Sequence, residues 1–324
     1  LKIRVTVHIR GDAVTFDFTG SSPQSPSGVN SLLNYTRAYC IFSLKCLTVQ
    51  DTIPQNEGCL RPMNLIAPEG SLFNPRPPVA SGPRAIMQQR IYDTILLAMA
   101  PALPHRVIAN SSHWSNPNYG GIDPRTGKPF VFYEIIVGGI GGRPAKDGAD
   151  GLCSAFNLEN IPVEVNESQY PIRVERLEFV RDSAGPGTHR GGTALRKDVL
   201  VLADDVVFSN LTDRHRFPPR GLFGGQGGPM GRTILNPGTP EQRGLHAKGI
   251  YRLNAGDVVS TVLSGTGGYG DPLERVPGAV LRDVRDGFVS PEAARRDYGV
   301  AIEAAPWRVN EEETARLRRD KGAA

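Results

Sequence analysis

The chain has 324 residues, 39% apolar and 22% charged, proportions of an ordinary folded protein that exclude a disordered or fibrous polymer. Its 37 Gly and 27 Pro are about a fifth of all residues, so many turns and few long helices are expected. Lys and Arg number 37 against 33 Asp and Glu, a formal charge of +4 spread along the chain, which argues against a nucleic-acid partner.

Leu1 is followed at once by the alternation Ile3, Val5, Val7, Ile9, as though a strand were entered partway through a longer polypeptide; a fragment or processed product is expected. Gly11-Asp12 supplies a turn and Val14, Phe16 and Phe18 alternate again, giving a hairpin. After a Ser/Pro/Gly-rich loop, Leu32 to about Val49 carries apolar residues at helical spacing, and Ala85 to Ala100 reads as a second amphipathic helix stopped by Pro101. Beyond it, Phe130 to Val137, Ile172 to Val180, Leu195 to Leu202, Val206 to Leu211 and Val258 to Leu263 are short β-type runs separated by Gly-rich turns. Ser290, Pro291 and Gly299 are the N-cap, first residue and stop of a short late helix, and Asn310 to Lys321 reads as a solvated terminal helix. These elements predict a mixed α+β fold: residues 1–125 hold the hairpin and two amphipathic helices, and residues 126–324 form a β-rich C-terminal half with short terminal helices.

Cys40, Cys46, Cys59 and Cys153 form no CxxC pair, so reduced thiols are expected, with Cys40 and Cys46 packed in the core. The apolar stretch Ile91 to Leu103 is too short for a bilayer, and a soluble, cytoplasmic protein with no membrane partner is expected. No two of the six histidines have HxxxH or HxH spacing, so no metal site is expected within this chain. Gly265 to Gly270 spells GxGxxG, yet Asp271-Pro272 stands where a phosphate-binding helix should open; tight turns are the favoured reading of the glycine clusters. No GxSxG elbow marks a nucleophile. Polar residues at strand ends and in loops are the candidates for a site: Glu134, Arg143, Asp147, Asp182, Arg190, Asp213 and Arg214, with His113 in the polar run Ser111 to Asn116. A carboxylate beside an arginine is more often a brace for a turn than an acid-base pair.

Read in order, the motifs resemble the hydantoinase B/oxoprolinase family. They are Gly11-Asp12; Asp17 to Gln24 with Gly28-Val29-Asn30; Pro54 to Gly58; Pro68 to Pro75; Tyr133-Glu134 with Gly138-Gly139, Gly141-Gly142-Arg143 and Asp147-Gly148; Arg181-Asp182-Ser183; Gly185-Pro186-Gly187; Arg190-Gly191-Gly192; Asp213-Arg214; Gly221 to Gly225; Gly256-Asp257; Gly267 to Pro272; and Tyr298-Gly299-Val300. The resemblance implies a subunit or fragment of an ATP-dependent cyclic-amide hydrolase of the hydantoinase, 5-oxoprolinase or lactamase type, inactive in isolation. The alternatives are a subunit of an acetone- or acetophenone-type carboxylase and a non-catalytic module clasping the ATPase. It further implies a heteromeric complex in which an A-type subunit holds ATP and Mg, and a divalent metal in an N-terminal half that has no counterpart here. Asp17 joins the candidate pocket residues on the same ground.

Overall fold

The structure, a computed structural model, describes residues 1–48, 54–156, 158, 160–304 and 306–322. Val49, the expected end of the first helix, lies outside them. The chain is organised as two compact units, Leu1–Val107 and Ile108–Ala324.

The first unit contains β1 (Thr6–Arg10), β2 (Ala13–Asp17), α1 (Leu33–Thr48), β3 (Met63–Ile66) and α2 (Arg84–Met99). The expected hairpin forms around Gly11, with Thr6 opposite Asp17, and β3 adds parallel to β2. Alternation places Val14 and Phe16 inward, and the buried Phe18 ring packs 4.7 Å from that of Phe73. The two expected helices pack against each other. Besides its apolar residues α2 buries Gln88, Gln89 and Asp93, more than the predicted apolar face. Cys40 is buried on α1, but Cys46 is exposed, contrary to expectation. Six residues of helix turn it about 120° away from Cys40.

The second unit runs β4 (Trp114–Ser115), β5 (Asn118–Asp123), β6 (Lys128–Tyr133), β7 (Ile136–Val137), α3 (Val163–Gln169), β8 (Ile172–Val180), β9 (Ala194–Val201), β10 (Val206–Leu211), β11 (Arg232–Leu235), β12 (Arg243–Leu245), β13 (Lys248–Leu253), β14 (Val258–Val262), α4 (Pro277–Arg285), α5 (Pro291–Tyr298), β15 (Ile302–Glu303), β16 (Arg308–Val309) and α6 (Glu311–Gly322). The order β13-β10-β5-β6 makes one antiparallel sheet and β12-β11-β14-β9-β8 a second. Tyr119, Phe132, Phe208 and Leu253 from the first meet Val199, Val201, Leu235 and Val259 from the second in one apolar core. The expected run Phe130 to Val137 is divided: β6 ends at Tyr133, Glu134 is buried, and β7 pairs with β4 instead. Residues 125 and 126 fall in the turn between β5 and β6.

Gly224 and Gly270 have the positive φ of turn glycines, 92° and 74°, but other members of the clusters serve a different purpose. Ala109 N donates to Gly142 O, Gly142 N to Gly267 O, and Gly267 N to Asn110 O, at 2.8–2.9 Å, so three extended segments outside both sheets are tied laterally. A Cβ on Gly141 would overlap the Ala109 carbonyl, and one on Gly265 the Ser183 carbonyl oxygen. Neither glycine has a positive φ. These positions need glycine because backbones pass too close for any side chain, the reason glycine occupies the axis of a collagen triple helix.

At the C-terminal end, Val280, Val284, Val289, Ala293, Ala294, Tyr298 and Val300 form a separate small core. The expected cap of α5 is present: Ser290 Oγ accepts from Ala293 N at 3.0 Å, Pro291 opens the helix and Gly299 closes it at φ 61°.

Candidate functional site

The second unit gathers its candidates into three groups. In the first, the run Asn110 to Asn116 joins the glycine segments to the sandwich: Ser112 N donates to Gly139 O at 3.1 Å, and Asn116 N to Leu211 O at 2.7 Å. His113, expected in a loop, is 3% exposed. Its Nδ1 lies 3.5 Å from Asp213 Oδ2 and its Nε2 lies 3.3 Å from Arg214 Nη2. A guanidinium can only donate, so Nε2 accepts and the proton sits on Nδ1, facing the Asp213 carboxylate. His113 lies between a carboxylate and a cation. His113 and Arg214 both adopt positive φ, 71° and 63°, at a cost of roughly 1–2 kcal/mol each. Two buried side chains in contact, each carried on a strained backbone, make this the best candidate for a functional centre.

His215 extends the group. Burial and then the nearby Lys248 charge push its imidazole down to about 4 from the ordinary 6.5, against the opposing pull of Asp213. The unfolded imidazole takes its proton near 6.5 and the folded one near 4, so in that interval the unfolded chain binds more protons. Stability is therefore full above about 6.5 and falls as the pH drops toward 4, by about 2 kcal/mol for this partly exposed group. Denaturant melts between pH 7 and 4.5 should show this loss, and His215→Gln should flatten it; an unchanged slope would refute the assignment.

The second group is an ion-pair network. Asp147 takes Arg275 Nη1 at 2.6 Å and Nη2 at 2.8 Å, Arg275 Nη2 also reaches Asp283 at 2.7 Å, and Arg190 contacts Asp283 at 3.0 Å and Asp150 at 3.2 Å. Burial would raise the Asp147 carboxyl, but Arg275 and Arg190 outweigh it and hold it below the usual range. Arg190 also lies over the Phe288 ring, 4.8 Å from its centre. The network fastens α4 to the loops at Asp147 and Arg190. Arg143 donates to the Asp147 carbonyl at 2.6 and 2.9 Å, bracing its own loop, and Asp182, at φ 58°, accepts from Ser290 N at 2.7 Å ahead of α5. Glu134, in the third group, is 1% exposed and ion-paired with Lys197. Asp17, in the first unit, accepts from Thr19 N at 2.8 Å, and the Thr19 hydrogen bonds hold its carboxyl low.

Sequence reasoning did not single out Lys197, Asp150, Arg275 or Asp283. Arg275 and Asp283 follow the last strand of the sandwich, where nothing in their spacing points back to Asp147. A heptad-like signal did exist for α4, in Pro277 with Val280, Leu281 and Val284.

Two ligand chemistries can be tested against these residues. The amides of Gly265, Thr266, Gly267, Gly268, Tyr269 and Gly270 all donate to backbone carbonyls, which leaves no cradle for a phosphate in the GxGxxG stretch. Among the described residues no three His, Cys, Asp or Glu side chains converge to hold a metal ion. No described helix is long and apolar enough to cross a membrane. A groove of about 450 Å³ lies over β5 and β6, lined by Ile122, Phe130, Val131, Val207 and Arg252 among others, and no candidate residue lines it.

Known proteins share this fold. Residues 1–272 match the family described as Hydantoinase B/oxoprolinase. A putative D-/L-hydantoinase B subunit from Pseudomonas sp. (strain NS671) is 36% identical over 93% of this chain and 52% of its own length. The crystal structure of an ATP-dependent caprolactamase from Pseudomonas jessenii superposes with a TM-score of 0.85 at 27% identity, covering 98% of this chain and 57% of that one. A nucleotide-free acetone carboxylase also superposes with a TM-score of 0.85, over 98% of this chain and 48% of that one; at 19% identity it shows the shared fold. The chain spans about half the length of the first curated relatives it matches and about a fifth of the 5-oxoprolinases. The glycine motifs that tie the backbone segments together, the Asp213-Arg214 pair at the strained centre and the match over residues 1–272 agree: the chain belongs to the hydantoinase B/oxoprolinase family.

Proposed function

We propose that this chain works as, or within, the B-type subunit of an ATP-dependent cyclic-amide hydrolase of the hydantoinase, 5-oxoprolinase or lactamase type, in the cytoplasm and beside an A-type ATPase subunit. The observation that carries this reading is 36% identity to a hydantoinase component across nearly the whole chain. An unstrained amide is a poor electrophile. In the proposed reaction the partner subunit, with ATP and Mg, phosphorylates the enol-like amide oxygen; water then attacks the activated carbon, and ring opening releases phosphate and the free carboxylate. The divalent metal belongs, in this reading, outside the described residues.

His113, Asp213 and Arg214 are the residues to which this reading gives a pocket role, as a fixed charged wall. Arg143, Asp147, Asp182, Arg190, Glu134 and Asp17 serve as architecture. The test is co-production of the polypeptide carrying this sequence with an A-type subunit, followed by ADP release on hydantoin, 5-oxoproline and caprolactam. ADP formed in step with ring opening is the expected result, and Arg214→Lys should lower kcat at least about tenfold with the complex still assembled. ADP release only with acetone or acetophenone and bicarbonate would replace the hydrolase reading with a carboxylase. No coupled turnover with any of them would leave the assembly-module reading in place of an enzyme.

A further inference from the structure

Between the two sheets of the sandwich the inward-facing residues change character at one level. At successive inward positions the residues are Phe132, Glu134 and Ile136 at the end of β6 and beyond; Phe208 and Asn210 on β10; Val199, Lys197 and Leu195 on β9; Val259, Thr261 and Leu263 along β14 and beyond; and Leu235 and Thr233 on β11. The first residue of each series belongs to the large apolar core. Ile136, Leu195 and Leu263 form a separate apolar cluster on the other side. The middle level is polar throughout, and none of Glu134, Lys197, Asn210, Thr233 and Thr261 is more than 3% exposed.

Strand register confirms that these residues share a level. Lys197 lies opposite Thr261, which lies opposite Thr233. Glu134 N donates to Pro117 O at 3.2 Å, and Ser209 lies opposite Asn118, so Asn210 sits beside Pro117 as well. The Glu134–Lys197 ion pair spans the gap between the sheets.

The hydrogen bonds of this layer do not close on themselves. Glu134 Oε1 takes Lys197 Nζ and, at 3.4 Å, Asn166 Nδ2, while Oε2 has no partner among the described residues. Asn210 Nδ2 donates to His246 O at 2.9 Å, which fixes the amide orientation and leaves Oδ1 without a partner among them. Thr233 Oγ1 has none either. Buried polar atoms are nearly always satisfied, by protein or by ordered water.

We infer that this layer is an internal hydration site, in which one or two ordered water molecules donate to Glu134 Oε2 and Asn210 Oδ1 and accept from the Thr233 hydroxyl. Two acceptors and one hydroxyl match the donor and acceptor capacity of water. A cation in the same place would face the Lys197 ammonium already bound to Glu134. The inference is independent of the function proposed above.

A crystal structure of the wild-type chain at about 1.8 Å resolution tests it directly. The expected result is a water peak within about 2.5–3.0 Å of Glu134 Oε2. A dry layer with Oε2 bonded to a protein group, or a peak with the anomalous signal of a metal ion, would overturn it. Oxygen-17 relaxation dispersion in solution gives a second reading: Thr233→Val, which keeps the side-chain shape, should shorten the residence of at least one long-lived water relative to wild type. No change in that variant or in Glu134→Gln would also count against the site.

Discussion

Lys197→Met is expected to destabilise the chain by about 3–5 kcal/mol, because it leaves the Glu134 carboxylate buried with its countercharge removed. Glu134→Leu should cost a similar amount by stranding the ammonium instead. The double variant Glu134→Leu/Lys197→Met should be far closer to wild type than the sum of the two. An apolar pair would extend the core formed by Phe132, Val199 and Val259 toward Ile136, Leu195 and Leu263, and buried ion pairs replaced by apolar residues are often neutral or stabilising. Denaturant melts of the four proteins measure the coupling. Additive losses would mean that the two charges are solvated separately in the native state, and that the polar layer is open to bulk water.

The same layer explains why part of the fold was hard to read from residue types. Ile172 to Val180 and Val206 to Leu211 were legible as strands to the residue, since β-branched and apolar residues recur there between turn signals. The cap of α5 was legible because Ser290, Pro291 and Gly299 each act through local backbone chemistry. Lys197 was not, because in Arg196-Lys197-Asp198 it reads as one more solvated charge, and only its ion pair with Glu134, which follows β6 in the facing sheet, accounts for its burial. β11, β12 and β13 escaped for a related reason: Arg232, Arg243, Gly244 and Arg252 break the apolar pattern of strands that are held by their neighbours.

At the candidate site the residue types were informative and the roles were not. Arg143 and Asp182 carry family motifs, yet each closes its hydrogen bonds on nearby backbone. His113 and Arg214 lie a hundred residues apart in the chain, and their contact depends on β4 meeting the end of β10 through Ser115 and Thr212. No local pattern encodes that meeting.

The glycine clusters give the second large effect. Gly265→Ala is expected to cost about 3 kcal/mol or more, because a methyl group there would overlap the Ser183 carbonyl and press on the Pro229 ring. Gly278→Ala, in the first turn of α4 with open space around it, should instead be neutral or stabilise by about 0.5–1 kcal/mol through its helix propensity. Neither glycine has a positive φ, so alanine can adopt both backbone conformations and the contrast isolates close approach from turn geometry. If the clusters were turns between strands, the two substitutions would differ little in thermal or denaturant melts. A large loss confined to Gly265 would show that the bundle is held by backbones in contact. It would also explain why glycine-rich segments far apart in the chain, near Gly141, Gly185, Gly225 and Gly267, occur together: each supplies the bare backbone against which the others pack.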